Sequence, residues 1–140
     1  MPKGSRQLLE ALNEALSDEY AAIIQYMVHH VMGRGLASPA VAEMFKAHAM
    51  DEMRHAYALI ERIDLLGGEP AITVGPITVG GDLKKMVQDD LEGEYRAQEM
   101  YRRYIKLAVQ EDDPVTRRLF EEILATEEGH TNDWETVLEK

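Results

Sequence analysis

The sequence predicts an all-α fold: an up-down four-helix bundle with one long crossover between the second and third helices. Three observations carry that prediction. Apolar residues recur at helical spacing in four long stretches, glycine and proline punctuate the chain between them, and the second half of the chain repeats the first. Displaced by 75 positions, Glu19 falls on Glu94, Tyr20 on Tyr95, Tyr26 on Tyr101, Pro39 on Pro114, Phe45 on Phe120, Glu52 on Glu127 and His55 on His130. The chain therefore reads as a single domain over residues 1–140, built from two related helical hairpins at residues 5–67 and 82–138.

The first helix is predicted from about Ser5 to Val31, on a stripe of Leu8, Leu12, Ala15, Glu19, Ala22, Ile23 and Tyr26. Gly33 and Gly35 end it. Ser38-Pro39 provides an N-cap and a first-turn proline for a second helix. Its stripe runs through Val41, Phe45, His48, Glu52, His55, Leu59 and Ile63 and stops at Gly67-Gly68. Residues 69–81, with Pro70, Gly75, Pro76, Gly80 and Gly81, read as an extended connection. Asp82 caps a third helix through Leu83, Val87, Leu91, Glu94, Ala97, Tyr101 and Ile105. Asp113-Pro114 repeats the cap-and-proline start for a fourth, through Leu119, Ile123, Glu127, His130, Trp134 and Val137. Helices of about 25–29 residues run about 40 Å at 1.5 Å per residue. Short links make each pair an antiparallel hairpin, and the long one can travel the length of the bundle, leaving the second and third helices parallel.

Composition narrows the function classes. At 140 residues the chain is long enough to bury a real core. It has no cysteine, which excludes disulfides, iron–sulfur clusters and thiolate zinc sites. No run is apolar enough to cross a membrane and the amino terminus does not resemble a signal peptide, so the expected location is cytoplasmic. A net charge of −11 argues against binding nucleic acid through a basic surface.

The informative polar residues sit where apolar ones belong. Glu19, Glu52, Glu94 and Glu127 each occupy the apolar stripe of one helix, near its middle. A buried carboxylate is costly unless it is protonated, paired or bound to metal, and few cations share these stripes. Two divalent ions would balance four carboxylates. Residues three apart share a helix face, so Glu52 with His55, and Glu127 with His130, can each hold an ion. Glu19 and Glu94 can complete terminal coordination or bridge. Oxygen-rich ligands with two imidazoles suit iron or manganese, and a carboxylate-bridged pair is suited to passing two electrons to dioxygen or peroxide. Tyr26 and Tyr101, two turns from Glu19 and Glu94, are candidate catalytic residues, as hydrogen-bond donors to the ligands or as one-electron donors. Asp51 is a candidate for orienting an imidazole.

These segments resemble bacterioferritin. The resemblance is carried by Glu19-Tyr20-Ala21-Ala22-Ile23-Ile24-Gln25-Tyr26, Asp51-Glu52-Met53-Arg54-His55-Ala56 and Glu127-Glu128-Gly129-His130, and it spans nearly the whole chain. It implies a ferritin-like fold and a ferroxidase centre of Glu19, Glu52, His55, Glu94, Glu127 and His130. That centre would hold two iron ions per subunit and oxidise Fe(II) with dioxygen or hydrogen peroxide, the ferric product being stored in an oligomeric shell. By the same resemblance Met53 matches the family's haem-ligating methionine, one from each subunit of a homodimer. Two departures are expected. The chain ends at Lys140 without a counterpart of the family's fifth helix, leaving a dimer, a 12-subunit and a 24-subunit shell open. His48 is displaced by one position from an inner-surface iron ligand, and Thr126 replaces an acid that would orient a ligand. The alternatives are a di-iron or di-manganese peroxidase or catalase that stores nothing, a miniferritin-like dodecamer for oxidative-stress protection, and a bundle that binds haem or metal structurally.

Overall fold

A computed structural model describes residues 4–139, which form four helices: α1 (Arg6–Met32), α2 (Ser38–Leu65), α3 (Leu83–Gln110) and α4 (Pro114–Val137). Three begin on side-chain caps. The Ser5 hydroxyl accepts from the Leu8 amide at 3.0 Å, Asp82 from Lys85 at 2.8 Å and Asp113 from Thr116 at 3.0 Å, each satisfying an amide the helix leaves open. The second start differs from expectation. Ser38 is the first helical residue rather than the cap, and Ala37 stands at the cap with no side-chain bond. The Ser38 amide instead donates to the Gly35 carbonyl at 3.0 Å, across a turn in which Gly35 adopts φ +115°. The turn at Gly35 thus satisfies the first helical amide through the backbone, in a helix start with no side-chain cap.

Residues 69–81 are extended and run along α1 in its own direction. The Asn13 amide donates to the Glu69 carbonyl at 3.1 Å, the Tyr20 hydroxyl to Ala71 at 3.0 Å, and the Thr78 amide to Gln25 Oε1 at 2.9 Å. Midway, the Gly75 amide donates to the Ser17 carbonyl at 3.0 Å. A Cβ on Gly75 would stand 3.3 Å from that carbonyl, a tight contact that would push the strap outward by a few tenths of an ångström, and glycine avoids it. The strap returns the chain to the end at which α2 began, and α3 therefore runs parallel to α2. Cross-bundle pairs confirm the directions: Tyr101 meets Glu19 and Tyr26 meets Glu94, while Arg62 meets Asp113 and His48 meets Asp133.

The core has two apolar ends. Leu8, Leu12, Leu16, Leu59, Ile63, Phe120 and Ile123 belong to one cluster. Val41, Phe45, Met86, Val87, Leu91 and Trp134 belong to the other. Between them lies a polar layer in which Glu19, Glu52, Glu94, Glu127 and His130 are all buried. No helix among the described residues is long and apolar enough to cross a membrane.

Candidate metal centre

Each helix contributes one mid-length glutamate to the polar layer, and α2 and α4 each add an imidazole one turn later. Both histidines turn Nδ1 inward. His55 Nδ1 lies 3.5 Å from Glu19 Oε2, 3.3 Å from Glu52 Oε1 and 3.4 Å from Glu127 Oε1. His130 Nδ1 lies 3.2 Å from Glu94 Oε1, 3.7 Å from Glu52 Oε1 and 3.8 Å from Glu127 Oε1. The side chains form two overlapping groups able to hold an ion, Glu19–Glu52–His55–Glu127 and Glu52–Glu94–Glu127–His130, with donor atoms within 4.8 Å of one another in each. Glu52 and Glu127 are common to both. Glu19 and Glu94 each belong to one, which separates roles that spacing along the helices left open.

The donor set is unsatisfied by protein. Glu19 Oε2, Glu52 Oε1, His55 Nδ1, Glu94 Oε2 and Glu127 Oε1 are all buried without a hydrogen-bond partner. Buried polar atoms are nearly always paired, so five orphans converging on one spot call for something to bind them. Without metal, protons fill the gap. Burial, reinforced by Glu19 and Glu94, pushes the Glu52 carboxyl up to about 8. Burial and the charges of Glu52, Glu94 and Glu19 push Glu127 well above the usual carboxylate range. Burial pulls on both imidazoles in the opposite sense, but the facing carboxylates win and hold His55 up at about 10 and His130 above its ordinary value. For Glu94, burial is outweighed by hydrogen bonds from His130, Glu127 and Tyr26, and its pKa is lowered.

A ferritin-like domain family model matches residues 9–140. Bacterioferritin of Brucella melitensis is 36% identical over 138 residues, covering 98% of this chain and 86% of the relative. Bacterioferritin of Mycolicibacterium paratuberculosis is 37% identical, with 98% and 87% covered. This chain belongs to the bacterioferritin family. Among solved structures, a mycobacterial bacterioferritin superposes with a TM-score of 0.93 at 36% identity, covering 98% of this chain and 86% of that one. The bacterioferritin of Rhodobacter capsulatus, described with a metal-free dinuclear site and haem iron, superposes at 0.88 with 32% identity, covering 96% and 84%.

All eight residues expected at the centre of this bacterioferritin-family chain meet in one place. The tyrosines cross over: the Tyr101 hydroxyl donates to Glu19 Oε1 and the Tyr26 hydroxyl to Glu94 Oε1, each at 2.6 Å. Each carboxylate therefore keeps one oxygen engaged and presents the other. Asp51 reaches across the bundle, its Oδ2 2.9 Å from His130 Nε2. Met53 stands apart, half-buried on the outer flank of α2 between exposed Met50 and Tyr57. Three further neighbours were not among the expected residues of the centre. Trp134 Nε1–H donates to the Tyr26 oxygen at 2.9 Å. The His48 ring stacks on His130 with centroids 3.8 Å apart, and its Nε2 lies 2.9 Å from Asp133 Oδ2. Burial and His130 together pull His48 down to about 4. Trp134 and His48 each lie four residues from a site residue on the same stripe, His130 and Glu52, so helical spacing could have flagged both. Asp133 stands one turn from His130 but off the apolar stripe, which gives a weaker signal.

Proposed function

We propose that this chain is a ferroxidase and iron-storage protein that oxidises Fe(II) at an intrasubunit di-iron centre. The observation that carries the reading is the set of five buried, unpartnered donor atoms pointing at one another from all four helices. Glu52 and Glu127 would be shared between the two ions, Glu19 and His55 would complete the ligands of one, and Glu94 and His130 those of the other. Two Fe(II) ions give one electron each, and dioxygen takes both electrons with two protons to leave as hydrogen peroxide. Peroxide serves as the two-electron oxidant in its turn. Tyr26 and Tyr101 fix the rotamers of Glu94 and Glu19 so that the terminal ligands need not reorganise when iron arrives.

Domain membership supports storage of the ferric product in a homo-oligomeric shell, with the whole chain acting as one cytoplasmic ferritin-like domain. Haem b is assigned to Met53 on a homodimer two-fold axis; the apolar flank formed with Met50 and Tyr57 is suited to covering a porphyrin. Substituting Met53→Leu is expected to remove the Soret band of haem-reconstituted protein. The direct test of storage adds Fe(II) in aerobic buffer at rising ratios and follows oxidation and the iron that co-elutes with protein. Oxidation continuing far past about two ions per chain, with iron retained at large mass, is the expected result. Oxidation that stops near two ions, with the excess precipitating, would leave the di-iron centre but transfer the function to a peroxidase-like enzyme with no store.

A further inference from the structure

The two halves of the centre are unequal, and the inequality shows when the chain is laid over its own repeat. The outer nitrogen of His130 faces Asp51 Oδ2 at 2.9 Å. Asp51 immediately precedes Glu52, and the repeat places Thr126 in the corresponding position before Glu127. Threonine has no carboxylate to reach His55, and its hydroxyl donates instead to the Glu122 carbonyl of its own helix at 3.3 Å. Among the described residues His55 makes no hydrogen bond: its Nδ1 is orphaned toward the metal groups, and its ring is 12% exposed against 4% for His130. The bias extends outward. His48 stacks on His130, whereas its repeat counterpart Ile123 sits in the apolar cluster at the other end. Trp134 buttresses Tyr26 and through it Glu94, whereas its counterpart Leu59 can donate no hydrogen bond to Tyr101.

We propose that Asp51 is a positioning residue that makes the Glu94–His130 position the tighter, retained one, while Thr126 leaves the Glu19–His55 position weaker and exchangeable. The inference rests on the di-metal reading above and deepens it. A carboxylate on the far nitrogen of a ligating imidazole fixes its tautomer and orientation and raises its basicity, and losing such a partner typically lowers metal affinity by about 10–100-fold. His130 has that partner, itself held by Arg54. The His55 ring faces only the carboxylates of the metal groups and has no such partner outside them. Iron would therefore exchange at the His55 position, on the side where the ring is also more open to solvent.

Co(II), which is redox-silent under these conditions, is the probe. Two calorimetric steps alone would not decide, because repulsion between the ions splits the steps of any paired site; the variants and the occupancy decide. At one Co(II) per chain, anomalous scattering is expected to place the ion mainly at the Glu94–His130 position. Thr126→Asp should tighten the second step by about tenfold or more and even out the occupancies, while Asp51→Asn should loosen the first step by a similar factor. Unchanged helical circular dichroism identifies folded variants, and the near-isosteric Asp51→Asn carries the test should Thr126→Asp fail to fold. Equal occupancy in the wild type, or an occupancy ratio untouched by Asp51→Asn, would overturn the inference and leave the di-metal reading standing. Absence of bound Co(II) at both positions would overturn both.

Discussion

Because Glu52 and Glu127 each belong to both carboxylate–imidazole groups, while Glu19 and Glu94 belong to one apiece, their removal has different expected consequences. Glu52→Ala or Glu127→Ala leaves neither group with more than three ligands and is expected to abolish rapid Fe(II) oxidation. Glu19→Ala leaves the Glu94–His130 group whole and should retain about one tightly held divalent ion per chain after gel filtration, measured by elemental analysis. Retention of two ions by Glu52→Ala would contradict the bridging assignment. The tyrosines act on the same carboxylates from outside. Burial and the charges of Glu94 and Glu19 respectively hold both phenols far above their ordinary pKa. They therefore remain donors across the working pH range; Tyr101→Phe leaves the buried Glu19 Oε1 unsatisfied, whereas after Tyr26→Phe Glu94 Oε1 keeps its contact with His130 Nδ1.

At the level of elements, the hairpin entries decide where the ligands sit along each helix. Asp113 does three things at the start of α4: it accepts from the Thr116 amide and hydroxyl, and it pairs with Arg62 of α2 at 2.9 Å. These bonds lower its pKa against the opposing effect of burial. Asp113→Ala is expected to destabilise the protein by about 1–2 kcal/mol, the range for losing a helix cap, read from thermal unfolding with helicity otherwise preserved. The strap over α1 plays the comparable role for α3. Gln25 takes the Thr78 amide with one end and gives its other to Asp90 at 2.7 Å, and Asp90 in turn lies 2.9 Å from His29 Nδ1. Asp90 stands one turn before Glu94, so this chain of bonds sets the register of α3 against α1.

For the whole molecule, the cluster of raised pKa values predicts an unusual pH dependence of the metal-free protein. Asp18, half-buried beside Glu19 and Glu94, is pushed up to about 7, Glu52 to about 8 and His55 to about 10. In each case the fold holds a proton that the unfolded chain releases at lower pH. The stabilisation is therefore complete below the unfolded pKa and is lost as pH rises through the folded one. His48 runs the other way, but only between its ordinary 6.5 and about 4, and lowered Glu94 and Asp113 act only below about 4.5. Between about pH 6.5 and 8.5 all of these contributions have one sign, so the unfolding temperature of the apo protein is expected to fall across that window. Divalent metal displaces the protons on Glu52 and His55, though not that on Asp18, and binds more tightly as pH rises, so loading two ions per chain should flatten or reverse the slope. A metal-free unfolding temperature that climbed from pH 6.5 to 8.5 would contradict the protonation of the site.

Much of this was legible in the residues alone. Helical spacing, capping residues and the internal repeat determine four helices, their starts to within a residue or two, and the stripe positions of Glu19, Glu52, His55, Glu94, Glu127 and His130; the stripe read for α3 stops at Ile105, while the helix runs on to Gln110. These are local properties, set by 3.6-residue periodicity and by what a helix end must satisfy. Ser38 shows the limit of local reading, because a glycine backbone turn took over the cap. What only the tertiary structure decided is which carboxylates are shared, that the tyrosines cross to the opposite glutamates, and that Asp51, His48 and Trp134 all gather on the His130 side. Those facts depend on how four helices face one another across the bundle axis, and spacing along a single helix carries no information about the angle at which its neighbour presents a side chain.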